Sequence, residues 1–416
     1  MKYLNILAAC IVTLMLATAC DKKSNDEPKP WLVADHTLLI YIAGDNNLSS
    51  YCKENIKRLK EGLLNAPDDI NLVIYKDNRD SGDGLPVLFQ LKRSYDNLTN
   101  AARIDTVYLK KYKQELNSCD PDVMTEIVNT TFKTFNTTVK GLELWSHGLS
   151  WIPSSQYTPS TRFIGQDENK DENNFLELWD IRKALEQCPK LDYISFDACF
   201  TGMAEVAHEL DGVCDYIYGP ITEIMGFGFP YDTMLPILAS CKNKTSVESA
   251  LVECVDDFSK SSSFDGYGYT ITLLKTEKAD DLATAVAKLR KASESKLTEL
   301  SANPKAYEAR MQHYGRAVYG TRYDFYDLAD YVDYMAEDGD ANIQAILSEI
   351  NSNNIVVAYA NSPYFSDGGL EKINLSGCKG LGVSIPEFFG LSVHKQEKLI
   401  VCYELTKWGH KVMYGI

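Results

Sequence analysis

The stretch "LDYISFDACFTG" (191–202) is an apolar run of strand character that stops on Asp197, Ala198 and Cys199. Earlier, "KGLELWSHG" (140–148) stops in the same way on Ser146, His147 and Gly148. Between them "FLELWDIRKALEQC" (175–188) carries apolar residues at helical spacing. Strand, helix, strand in this rhythm is a βαβ unit, so the two strands run parallel and their carboxyl ends open on one side of the sheet. In parallel α/β sheets that side holds the ligand crevice. Topology alone therefore brings an imidazole and a thiol to the same crevice.

The same rhythm extends outward. "HTLLIYIAG" (36–44), a helical pattern at 48–64 and "INLVIYKD" (70–77) form another βαβ unit. "LPVLFQLKR" (85–93) and "IDTVYL" (104–109) read as an edge hairpin, and Asp120 with Pro121 starts a helix running to 135. A further helix is expected at 201–212 and a strand at 214–220. "TEIMGFGFPYD" (222–232) reads as a Gly-rich aromatic loop. Past residue 230 helices dominate, at 232–240, 246–261, 278–302, 323–336 and 341–352. Strand-like pieces at 267–275, 354–361 and 379–386 extend the sheet late in the chain. The expectation is an α/β fold with a mostly parallel central sheet flanked by helices, plus a mainly helical C-terminal portion. One compact unit is the simpler reading, and two domains meeting near 235 the alternative.

A thiol beside an imidazole is the layout of a cysteine nucleophile and its general base. His147 takes the thiol proton, or holds the thiolate as imidazolium, and then protonates the leaving amine. Gly148, lacking a side chain, lets its amide approach a substrate closely. The Cys199 amide, expected at the start of the next helix, supplies the second donor of an oxyanion hole. Asp197 suits the primary specificity pocket, matched to a cationic substrate side chain. Glu223 is a weaker carboxylate for the same pocket. Phe227, Phe229 and Tyr231 either line the cleft or pack in the core. The bland alternative stays open: His147 ends a strand, Asp197 caps a helix and Cys199 is core packing.

Composition narrows the function classes. The net charge of −16 argues against nucleic acid and against an anionic membrane surface as partners. No C-x-x-C occurs, and the six histidines are scattered with no H-x-x-x-H pair, which argues against a metal site. No G-x-S-x-G occurs either. "MKYLNILAACIVTLMLATAC" (1–20) reads as an export signal, too short for a mature spanning helix. Its end, "LATAC", resembles a bacterial lipobox. That similarity implies a signal peptide over 1–19, lipid on Cys20 and a polar tether over 20–35. An ordinary cleaved signal is the alternative.

Strand-Ser-His-Gly followed some fifty residues later by strand-Asp-Ala-Cys resembles the clostripain family of cysteine peptidases. "LLIYIAGDNNLSSY" and "TEIMGFGFPYD" resemble that family's first strand with its turn and the loop after its fifth strand. The likeness is close over 36–235 and general over 236–416. It implies a caspase-like three-layer sandwich in 36–235, with 236–416 as a C-terminal portion. It implies an endopeptidase cutting after Arg, with Lys as second candidate, through a Cys199–His147 dyad. It implies a single latent chain that cuts itself in the loop 149–174, at Arg162 or Lys170. An inactive binding lipoprotein on the same scaffold is the competing class. Calcium enters by resemblance alone: the acidic run at 166–174 lacks the ligand spacing of a calcium loop. No other cofactor is expected, and the expected state is a monomer. One departure is noted. "HGLSW" has Ser150 where the family usually has glycine before the tryptophan.

Overall fold

In a computed structural model of the chain, residues 32–79, 85–154, 164–168, 174–315, 317–318, 321–322, 325–366, 372–391 and 396–415 are described. Cys20, Arg162 and Lys170 lie outside them. The segment Leu32–Ile416 is one unit by its contacts.

Nine strands make the main sheet. In chain order they are β1 (His36–Gly44), β2 (Asn71–Asn78), β3 (Val87–Tyr95), β4 (Ala102–Lys111), β5 (Val139–Trp145), β6 (Leu191–Asp197), β7 (Cys214–Gly219), β8 (Thr270–Lys275) and β9 (Val356–Asn361). In space the order is β9-β8-β7-β6-β5-β1-β2-β3-β4. The five central strands, β7 to β2, are mutually parallel. The β3–β4 hairpin closes one edge antiparallel, and β8 and β9 add antiparallel at the other.

Alternation along β1 explains the layers. Leu38, Ile40 and Ile42 enter one core, and Leu39, Tyr41 and Ala43 enter the other. The first core is covered by α1 (Ser49–Asn65) and, later in the chain, by α5 (Tyr231–Ser240) and α6 (Val247–Lys260), through Leu59, Leu235 and Leu251. The second is covered by α2 (Pro121–Thr134), α3 (Leu178–Leu185), α4 (Ala204–Glu209) and α7 (Ala279–Ala292), through Ile127, Ile181, Val206 and Val286. Asp120 caps α2 by accepting from the Asp122 amide, with Pro121 in the first turn.

Three expectations need correction. The helix expected at 201–212 covers only 204–209, because Met203 at its start offers no side-chain cap and residues 199–202 form a tight turn. The helix expected at 323–336 starts at Leu328. Phe325–Asp327 instead pairs antiparallel with Gly382–Ser384, and Asp327 caps the helix through the Ala329 amide. That pairing takes the strand expected at 379–386 out of the main sheet.

Candidate active site

The register sets the geometry. Trp145 at the end of β5 lies opposite Asp197 at the end of β6, so His147 and Cys199, each two residues on, stand level. The Ser146 amide donates to Asp197 O at 3.4 Å and ties the two ends together. His147, Cys199 and Asp197 line one small cavity of about 50 Å³ with Leu48, Trp145, Ser146, Ile224, Met225 and Gly226.

Cys199, the candidate nucleophile, sits on a strained turn. Phe200, directly after Cys199, has φ +57°, a conformation that bulky L-residues avoid at a cost of about 1–3 kcal/mol. The turn is held by its own amides: Phe200 N–H donates to Thr222 O, and Thr201 and Gly202 N–H both donate to Pro220 O. The Phe200 ring packs on Phe325 at 4.9 Å. This turn, not a helix start, presents the Cys199 amide. Gly148 is pressed against it. A methyl at Gly148 would lie 2.8 Å from Cys199 N and 2.4 Å from Cys199 O. The two amides proposed for the oxyanion are thus on adjoining backbones. The thiol itself is covered. The Ile224 amide donates to Cys199 Sγ at 3.4 Å, and Sγ is 3.8 Å from Ile224 O.

His147 has a partner that sequence reasoning missed. Its Nε2 lies 2.6 Å from Asn47 Oδ1. A carboxamide oxygen only accepts, so with Asn47 Oδ1 as partner the ring hydrogen is on Nε2 and Nδ1 is the nitrogen able to take a proton. The signal was available: Asn47 sits just past the carboxyl end of β1, the strand next to β5.

Asp197 is buried, and its Oδ2 accepts from the Phe229 amide at 2.9 Å. The Tyr231 hydroxyl stands between two acids, 2.6 Å from Asp197 Oδ2 and 3.0 Å from Glu143 Oε1. Burial pushes the Asp197 carboxyl up to about 6, against the pull of Tyr231, Phe229 and the Arg58 charge. Burial, then the Asp197 charge, pushes Glu143 up to about 8. Glu143 was also overlooked, although an acid inside a buried strand is itself a signal.

The remaining candidates fall elsewhere. Phe227 packs on Phe264 and Tyr267, at 5.4 and 5.8 Å, and is not among the residues lining the cavity. Phe229 is core, against Tyr218 and Phe258. Glu223 is buried and does not line the cavity. Among the described residues no group of three or more His, Cys, Asp or Glu is placed to hold a metal. Of the acidic run's described residues, Asp167 accepts from the Ser118 amide and hydroxyl, and Glu168 pairs with Arg79.

Ser150 has φ +57°, the left-handed region where glycine is at ease, and its buried Oγ has no partner among the described residues. Trp151 beside it is anchored by donating Nε1–H to Ser384 Oγ at 2.8 Å. Ser150→Gly is expected to stabilise the fold by about 1 kcal/mol. A urea denaturation midpoint that fails to rise would contradict this account of the departure.

A thiol and an imidazole at the ends of neighbouring parallel strands, on a mostly parallel sheet between helix layers, define a cysteine peptidase of caspase-like fold. The chain belongs to the clostripain family, whose model matches residues 40–376. It is similar to clostripain of Hathewaya histolytica, 24% identical over 214 residues, which are 47% of this chain and 40% of that protein. The match thus spans well under half of that relative's length. A secreted C11 cysteine protease from Bacteroides thetaiotaomicron, solved with an irreversible peptide inhibitor, is 25% identical with a TM-score of 0.71, covering 91% of this chain and 99% of that one. An inactive zymogen C11 protease from Parabacteroides distasonis is 28% identical with a TM-score of 0.72, covering 91% and 98%.

Proposed function

We propose that the protein is an exported endopeptidase that cuts after basic residues, Arg before Lys, through Cys199 and His147. The observation that carries this reading is the level placement of His147 and Cys199 with Asp197 in one cavity. His147 Nδ1 takes the thiol proton and Cys199 Sγ attacks the scissile carbonyl carbon. The oxygen that gains charge is held by the Gly148 and Cys199 amides. His147 returns the proton to the leaving amine, then draws one from the water that hydrolyses the thioester. Asn47 keeps the imidazole in the required tautomer.

The covered thiol and the small cavity suit a latent form, as does the likeness to a zymogen. Self-cutting at Arg162 or Lys170 would activate that form. Lipid on Cys20 would hold the chain at the bacterial cell envelope, on its periplasmic or surface face. A secreted relative supports export, and no helix among the described residues is long and apolar enough to cross a membrane. The partners are protein or peptide substrates with basic residues, without nucleic acid, and the working unit is a monomer.

The test uses peptides that differ only in Arg or its uncharged isostere citrulline before the cut, with the full-length chain in detergent, before and after limited trypsin. Turnover selective for Arg is expected. No turnover in either condition would favour the inactive binding lipoprotein. The preference should also depend on pH. The carboxylate form of Asp197 is the one that attracts a cation, and it is lost as pH falls through about 6. The Arg-over-citrulline ratio should therefore drop about tenfold per unit below pH 6. A ratio flat from pH 7 to 5 would remove Asp197 from this role.

A further inference from the structure

One buried group beside this pocket has no use in the fold. Asn55, on α1, is 1% exposed, and neither its Oδ1 nor its Nδ2 has a hydrogen-bond partner among the described residues. A buried carboxamide left unpaired is costly, and such groups are rare in folded proteins. Its amide faces Asp197 across Gly228. A methyl at Gly228 would lie 2.4 Å from Asp197 Oδ2, 2.9 Å from Asn55 Oδ1 and 3.2 Å from Asn55 Nδ2. Gly228 has φ +73°, so the backbone itself favours glycine where the acid and the amide converge. Arg58, one turn further along α1, is already committed to Asp232, Phe227 O and Ser263.

We propose that Asn55 is a second specificity-determining residue of the primary pocket, its amide oxygen accepting from the cationic head of the substrate side chain beside Asp197. This rests on the reading of Asp197 as the specificity carboxylate. Chemistry favours the pairing. A guanidinium carries five N–H donors and no acceptor. Asp197 Oδ2 already serves Phe229 and Tyr231, so a cation bound there needs further acceptors. A neutral amide oxygen supplies one without adding a second charge to the site. Access requires the 224–228 segment, which covers Cys199, to shift on binding. Asn55 does not line the closed cavity. Displacing Gly228, which lies between its carboxamide and Asp197 Oδ2, would join it to the pocket, and Gly226 and Gly228 give the segment the freedom to move.

The experiment measures kcat and KM on the Arg and citrulline peptides for the full-length chain and for Asn55→Leu, Asn55→Ala and Asp197→Asn, with a urea midpoint for each. Asn55→Leu should be at least as stable as the parent, since it removes an unpaired buried amide. Its KM for the Arg peptide should still rise about tenfold or more. Its kcat should stay within about twofold, and its KM for citrulline should be unmoved. Asn55→Ala should show the same split, so the test survives if leucine is not accommodated. Should both Asn55 variants keep the parent KM for Arg while Asp197→Asn loses the preference, the proposal fails and the pocket assignment stands. A parent chain with no preference for Arg over citrulline overturns both.

Discussion

Cys199→Ala is expected to abolish peptide hydrolysis, by roughly 10⁴-fold or more in kcat, in a chain that remains folded. The two halves of that result have separate physical causes. The turn that holds residue 199 is fixed by the amides of Phe200, Thr201 and Gly202 and by the Phe200 ring on Phe325. None of these uses the sulfur. The sulfur contacts Ile224, and losing those weak bonds costs about 1 kcal/mol. The nucleophile, by contrast, has no substitute at the site. Ser146 is the nearest hydroxyl in the cavity lining, and its Oγ donates to Ala43 O at 2.7 Å. Circular dichroism and a urea midpoint would report the fold. Labelling by a peptide-based thiol-reactive inhibitor would report the site, and should vanish in the variant. If Cys199→Ala keeps turning over substrate, another residue is the nucleophile and the dyad is wrong.

The placement of His147 and Cys199 together was legible because they lie at the ends of two apolar strands whose direction is set by the helix between them. Reading that needs only periodicity and the handedness of chain connections. Its supports were not legible. Asn47 reaches His147 across a hundred residues of chain, Tyr231 reaches Asp197 from α5, and Asn55 meets Gly228 from α1. Each depends on how separate elements pack, which no local pattern carries. Glu143 lies between these cases. Its position in a buried strand, the larger cause of its raised pKa, was visible; the second cause, Asp197 on the same face of the adjacent strand, was not. The start of the helix at Leu328 shows a different failure. "YDFYDLADYVDYM" has helical spacing throughout, yet Phe325–Asp327 has a partner strand some fifty residues on that competes for its backbone. Asp327 could still have been recognised as a cap.

On the proposed function, specificity and latency would use the same loop. The 220–232 segment receives the amides of the nucleophile turn at Pro220 and Thr222, covers the thiol through Ile224, and pins Asp197 through Phe229 and Tyr231. A shift that admits a substrate therefore uncovers the sulfur and alters the setting of the carboxylate together. With the proposed preference for basic residues, that coupling would let a correctly charged side chain help to open its own site, at the expense of some binding energy.

The second large effect concerns Gly148. A methyl there would stand 2.4 Å from Cys199 O, 2.8 Å from Cys199 N and 2.9 Å from the Ala198 Cβ. The two nearest contacts are backbone, so no flexible side chain can move aside. The ends of β5 and β6 must separate, and the amides of residues 148 and 199 separate with them. An oxyanion site depends on donors fixed about 3 Å from where charge develops, and losing one costs about 10²–10³ in kcat. Gly148→Ala is therefore expected to lose activity on that scale, with KM changed far less, because the pocket around Asp197 is formed by other residues. The Ser146 bond to Asp197 O limits how far the strands part and should keep the chain folded. Steady-state kinetics beside a urea midpoint would separate the effects. A loss confined to KM would place the damage in substrate binding, and an unchanged kcat would mean that the Gly148 amide does not hold the oxyanion.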